Sequence, residues 1–362
     1  MSKRLTTQLT TQLPTPLTIR LTTHLATHLA THFAKLAAAG LIGVVAVLMA
    51  STAPAQGPKP MKLTLNFLAG GPQAGFMYAK KLGYYKDAGI DLTIEEGKGS
   101  ATTAQLVATG QTDVAFADAP AAMQIRSKGA PVKILTPILQ TNGFAIISIE
   151  GSGINTPKDL LGKRLAVQPG TAQTTLLDAI LAENKIDKTK LDIVNIDPAA
   201  LVGALLEKKV DAILAGADFQ SVQIRDRGFK VKDILYRDVG VPTVGLSIIA
   251  RDERLKSDPD LYRKFVAASL KGWDEARKNP DAAAAAVIEQ FPAVTKEQIL
   301  KQLKVDLDLV CAPGATALGR VPDKNWQITF DLLTAYLQLP KDKPITDYYT
   351  TEFQPADAPK CP

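Results

Sequence analysis

Residues 82–118, LGYYKDAGIDLTIEEGKGSATTAQLVATGQTDVAFAD, decide the fold. Gly83 follows a helix that begins near Gln73. Residues 84–89 lead into a strand at 90–94, where apolar and polar side chains alternate. Gly97-Lys98-Gly99-Ser100 opens a second helix, 102–109, which Gly110 closes. Residues 113–117 form a short apolar strand that ends at Asp118. Helix, strand, helix, strand, with a glycine loop at each functional junction, is α/β order. It puts a ligand-sized opening at the strand C-termini.

The same alternation extends in both directions. Strands are predicted at 62–67 and 132–139, helices at 73–82 and 119–128, and a crossover strand at 143–149. The pattern then restarts. A capped turn at 156–163 precedes strands at 164–167, 192–196, 212–214 and 234–236, with helices at 172–184, 199–208 and 219–227. A second crossover, 244–250, leads into helices at 260–279, 280–290, 295–303 and 322–337. Mostly parallel sheets with helices on both faces follow from this order. Two such lobes joined by two strands make a hinge-bent, clam-like molecule. Lobe one is expected to take 60–142 and 245–340, lobe two 143–244, and 341–362 form a C-terminal tail. Trp273 and Trp326 sit at apolar helical spacing and read as core.

The first 55 residues read as a leader. Lys3 and Arg4 open it, residues 36–50 are an unbroken apolar run, and Ala53-Pro54-Ala55 is a small-x-small cleavage site. That is the order of a secretory signal peptide. The run is shorter than the roughly 20 residues a spanning helix needs. All three histidines, His24, His28 and His32, lie in the leader. The mature chain therefore has no histidine for acid–base catalysis, a Ser-His triad or metal ligation. The leader also holds four of the 42 basic residues and none of the 36 acids, leaving 38 against 36, a charge of +2. No nucleic-acid footprint remains. Cys311 and Cys361 are either one disulfide, favoured by an oxidising compartment and an even count, or two separate thiols.

Four strings carry a resemblance: GYYKDAGIDLTI (83–94), GSATTAQLVATGQTDVAFAD (99–118), INTPKDLLGKRLAVQPGT (154–171) and SLKGWDEARKNPDAA (269–283). In this order, over about 61–339, they resemble the solute-binding proteins of ABC importers. The group most similar serves nitrate, sulfonates, taurine and thiamine-pyrimidine precursors. The resemblance implies a type II-like periplasmic binding protein: two mixed sheets flanked by helices and joined by a two-strand hinge. It implies a periplasmic monomer that closes on a small molecule and delivers it to a permease and its ATPase, with no cofactor or metal. The expected cargo is a sulfonate- or carboxylate-like anion. The alternative is a thiamine-pyrimidine precursor or related heterocycle. An iron-dependent pyrimidine synthase shares the fold, but it uses histidines and a cysteine-rich motif that the mature chain lacks. A sensor input or scavenging chaperone is a third class.

Loops at strand ends and helix N-termini supply the candidate ligand contacts, because their backbone N–H groups are free. Gly70-Gly71-Pro72-Gln73 allows close backbone approach, Gln73 offers a donor and an acceptor, and Phe76 is an expected apolar wall. Gly99 and Ser100 start a helix; Ser100 either caps it or faces ligand, and Lys98 attracts an anion or stays solvated. Asp118 either accepts from ligand or caps the next helix. Gly170, Thr171 and Gln173 form the corresponding polar loop of lobe two. Asp218 and Thr243 are further candidates there and at the hinge.

Overall fold

The computed structural model describes residues 57–311 and 313–362. The leader and its cleavage site lie outside the described residues. Strands and helices alternate first as β1 (Lys59–Thr64), α1 (Ala74–Lys81), α2 (Tyr84–Asp87), β2 (Ile90–Glu95), α3 (Ser100–Ala108), β3 (Val114–Asp118), α4 (Ala119–Ser127) and β4 (Val132–Pro137). The second series is β5 (Phe144–Ile149), β6 (Arg164–Val167), α5 (Ala172–Thr175), α6 (Leu177–Glu183), β7 (Asp192–Asn195), α7 (Pro198–Leu206), β8 (Ala212–Gly216), α8 (Gln220–Asp226) and β9 (Val231–Leu235). The chain then returns through β10 (Leu246–Arg251) to α9 (Asp252–Ser257), α10 (Pro259–Lys278), α11 (Pro280–Gln290), α12 (Lys296–Leu307) and α13 (Asp323–Leu337).

Two five-stranded sheets result, ordered β2-β1-β3-β10-β4 and β7-β6-β8-β5-β9. Both follow one plan. The first βαβ unit of each is parallel, and the strand that comes from the other lobe runs antiparallel between its neighbours. The sheets are thus mixed, because β10 and β5 each enter from the opposite side of the cleft. The two crossing segments, 138–143 and 241–245, lie side by side. Asn142 N–H donates to the Thr243 carbonyl at 3.1 Å, and Gly245 N–H to the Leu139 carbonyl at 3.1 Å. Asn142 Nδ2 also donates to Thr243 Oγ1 at 2.9 Å.

Burial follows the alternation. In β2 the even positions Ile90, Leu92 and Ile94 are buried while Asp91, Thr93 and Glu95 are exposed. Residues 114–118 of β3 are all buried, as a central strand covered on both faces must be. α10 packs on α1 with Trp273 fully buried against Phe76. At that crossing a Cβ on Gly272 would lie 2.3 Å from the Ala79 Cβ, so only glycine lets the helices meet. Cys311 and Cys361 are joined in a disulfide, with Cα atoms 5.8 Å apart. The tail also covers the free edge of β4: Ile134 N–H donates to the Tyr348 carbonyl, and Thr350 N–H to the Ile134 carbonyl. That satisfies an exposed strand edge.

Three local expectations shift. The helix expected over 172–184 breaks at Leu176. Thr175 Oγ1 donates back to the Thr171 carbonyl at 3.0 Å, a bond that competes with the helix ladder. The strand expected at 234–236 is Val231–Leu235, and Tyr236 begins a 3-10 turn instead. α9 was unexpected because its six residues carry no apolar period.

Candidate functional site

The cavity between the lobes has a volume of about 60 Å³, room for a few water-sized groups. Lobe one supplies Asn66, Phe67, Pro72, Gln73, Gly99, Ser100 and Asp118. Lobe two supplies Gln168, Thr171, Gln173, Asp218, Phe219 and Gln220, and the crossing segments add Thr141, Asn142 and Gly143. Among the described residues, no lysine, arginine or histidine lines it.

On the lobe-one side the polar groups are set by long-range contacts. The loop after β1 holds the loop before α3: Gly99 N–H donates to the Asn66 carbonyl at 2.8 Å. Ser100 is inside α3, whose cap is Gly99, so its hydroxyl is not a cap. That hydroxyl donates to Asp118 Oδ2 at 2.8 Å and accepts from the Asp118 N–H at 3.1 Å. Asp118 stands at the N-cap position of α4, yet its carboxylate caps nothing. Burial raises its pKa to about 7, despite the Ser100 hydrogen bond, and the charge of Asp218 adds to the rise. Gln73 is 1% exposed; its Nε2 donates to Asn66 Oδ1 at 2.8 Å, and its Oε1 has no partner.

On the lobe-two side the hydroxyls serve their own loop. Thr171 Oγ1 donates to the Gln168 carbonyl at 2.9 Å and accepts from the Thr174 N–H at 3.3 Å, capping α5. Thr174 Oγ1 also donates to the Gln168 carbonyl, at 2.7 Å. Gln168, 4% exposed, keeps an unpartnered Nε2. Burial raises the Asp218 pKa. Asp306, on α12, lies beside Asp218; burial and the Asp218 charge push its pKa well up.

Contacts across the cleft surround the cavity. Ala101 N–H donates to the Gly170 carbonyl at 3.0 Å. Phe67 and Phe219 meet edge to face at 5.5 Å. Lys301 of α12 pairs with Asp226 of α8 at 2.6 Å.

Seven of the ten residues singled out from sequence line this cavity: Gln73, Gly99, Ser100, Asp118, Thr171, Gln173 and Asp218. Three do not. Gly71 packs on α12, where its N–H donates to Gln302 Oε1 at 2.9 Å. Gly170 serves the lobe–lobe contact through its carbonyl. The Thr243 hydroxyl accepts from Asn142 Nδ2 in the crossing. Phe76 is fully buried in the lobe-one core against Phe116, so the expected wall is made by Phe67, Phe144 and Phe219 instead. Lys98 is exposed and outside the lining. Asn66 and Gln220 were missed, although the strand-end rule that selected Gln73 also covers Asn66; Gln168 opens the lobe-two loop already expected at the cleft.

The model of the NMT1/THI5-like family matches residues 72–283. The chain is 24% identical over 324 residues to the riboflavin-binding protein RibY of Chloroflexus aurantiacus, covering 84% of this chain and 90% of that one. It is 25% identical over 162 residues to the 4-amino-5-hydroxymethyl-2-methylpyrimidine phosphate synthase of Legionella pneumophila, covering 45% of this chain and 51% of that one. The fold is similar to that of the periplasmic aliphatic sulphonate binding protein SsuA of Escherichia coli, with a TM-score of 0.62 and 17% identity, over 80% of this chain and 96% of that one.

Proposed function

The chain belongs to the NMT1/THI5-like family, and from that premise we propose that it is the solute-binding component of an ABC importer. It captures a small organic solute between its lobes in the periplasm and presents the closed form to a permease and its ATPase. The observation that carries this reading is the cavity enclosed by both lobes, with polar groups left unpartnered on each side. A ligand shifts an open–closed equilibrium only by its differential affinity for the two forms. Contacts from both lobes supply that difference; contacts from one would not.

The reading includes no chemistry by the protein itself. The mature chain has no histidine, and both cysteines are in the disulfide. The binder therefore releases its solute unchanged. For the sulfonate- or carboxylate-like cargo, the support is the sulphonate-binding neighbour and the Gln168 amide donor facing the cavity.

The test is a thermal-shift screen of sulfonates, carboxylates, nitrate, amines and pyrimidines, followed by small-angle scattering with each hit. A ligand at 100 times its dissociation constant adds about 2.7 kcal/mol of stability. A hit that compacts the protein and is recovered intact supports the reading. A hit that is consumed would replace it with an enzyme.

A further inference from the structure

We propose that Asp118 and Asp218 form an acidic seat in the cleft for a protonated amine or amidine of the solute, with Gln73 Oε1 as its third acceptor. This inference rests on the importer reading above but departs from a simple anionic cargo: it assigns a cationic group to the solute.

Three observations converge. The two carboxyls come from opposite lobes, and both line the cavity. Asp118 is 3% exposed and Asp218 8% exposed. A buried carboxylate needs a cation or hydrogen-bond donors. The titratable groups facing them are each other and Asp306, and no basic side chain lines the cavity. Ser100 satisfies one oxygen of Asp118 and no more. Asp218 takes hydrogen bonds from its own N–H and that of Phe219, but no basic side chain in the lining neutralises either carboxyl, so a positive charge there has to come from the occupant.

The Gln73 amide is the second, independent pointer. Its Oε1 is buried and unpartnered, held in place by the Nε2 bond to Asn66. An orphaned buried acceptor costs about 1–3 kcal/mol, which a ligand N–H recovers. Phe67 and Phe219 add aromatic surface around the same space, and a ring face attracts an organic cation. Gln168 Nε2 is a fully buried, unpartnered donor in the lining. It calls for an acceptor atom elsewhere on the same solute.

A proton balance follows. Burial raises the pKa of both carboxyls, that of Asp118 to about 7, so protons stay on them to higher pH than on a free carboxyl. An ammonium displaces them: one N⁺–H···O⁻ contact forms, and the carboxyl proton leaves to solvent. Amine binding therefore tightens as pH rises from 5.5 to 8, while the amine stays protonated. A bound anion favours the protonated carboxyls and shows the reverse trend.

The experiment compares matched probes of one shape on the purified protein: propylamine, propionate, propanesulfonate and propanamide, then benzylamine, benzoate, benzenesulfonate and benzamide. Calorimetry gives affinity and proton release, and scattering reports closure. The expected result is closure by an amine, tighter at pH 8. Asp118→Asn and Asp218→Asn should each weaken it about 10- to 100-fold. A single cooperative unfolding transition of each variant at pH 5.5 checks the fold. Closure by an anion or an amide with affinity equal to or above its amine partner overturns the acidic seat and leaves the importer reading standing. An amine affinity that is unchanged by both variants also overturns it. Failure of every probe to bind or close the cleft counts against the importer reading, and the acidic seat falls with it.

Discussion

The two rims of the cleft use similar residues for different ends. Each has a glycine at positive φ and hydroxyl side chains at the start of a helix. In lobe one, Ser100 reaches 18 residues along the chain to Asp118, and the loop that holds it hangs on Asn66. In lobe two, Thr171 and Thr174 turn back to Gln168, three and six residues away. Local hydroxyl bonds compete with any ligand and win when the geometry is at hand. The lobe-one rim therefore keeps polar groups for an occupant, and the lobe-two rim spends most of its own on closing a loop.

The largest expected effect is on the lobe-one rim and depends on pH. Asp118 rises from the ordinary 3.8 to about 7 in the folded protein. Between these values the folded state holds a proton that the unfolded state has lost, so stability falls as pH rises through this window. Below 3.8 the contribution is fully present, and above 7 it is gone. The total is on the order of 4 kcal/mol. Thermal unfolding from pH 4 to 8 should show this slope, and Asp118→Asn should reduce it, leaving the part that Asp218 and Asp306 contribute. A slope that the substitution leaves unchanged would move the titration away from Asp118.

Next is the point where the rims touch. Gly99 has φ +125°, and a Cβ there would lie 2.5 Å from the Gly170 carbonyl oxygen. Gly99→Ala should cost about 1–3 kcal/mol and hold the lobes apart. Small-angle scattering with a saturating ligand checks it; full compaction would mean that the contact is not needed for closure.

A smaller effect tests the lobe-two rim. Thr171→Ala removes a helix cap worth about 1 kcal/mol. Denaturant unfolding should register that loss while ligand affinity stays within about threefold. A large loss of affinity instead would return the Thr171 hydroxyl to ligand contact and erase the contrast between the rims. The smallest effect belongs to Lys98, exposed and outside the lining. Lys98→Ala should leave affinity unchanged in a titration at low salt.

Much of the fold was legible in the chain. Period-two burial in β2, the fully apolar β3 and the proline-initiated helices α10 and α11 follow from local rules. The period of 172–184 reads as one helix, and its break at Leu176 belongs to the folded backbone and not to that period. The strand-end rule located the loops of the cleft. It left open which polar atoms in them are free. The sequence keeps Ser100 open between cap and ligand contact, because serine at a helix start is often a cap; its partner lies on the neighbouring strand.

The sequence by itself determined the alternation of strands and helices, the restart that makes two lobes, and the loops that face the cleft. These are set by hydrophobic period and by glycine and proline placement, which act over a few residues. Only the tertiary structure decided the antiparallel entry of β5 and β10, the pairing of Asp118 with Ser100 and of Asp218 with Asp306, and the unpartnered atoms of Gln73 and Gln168. Burial and hydrogen-bond satisfaction depend on neighbours that lie far away along the chain. Asp306 is 88 residues beyond Asp218, and no local pattern announces that the two lie together.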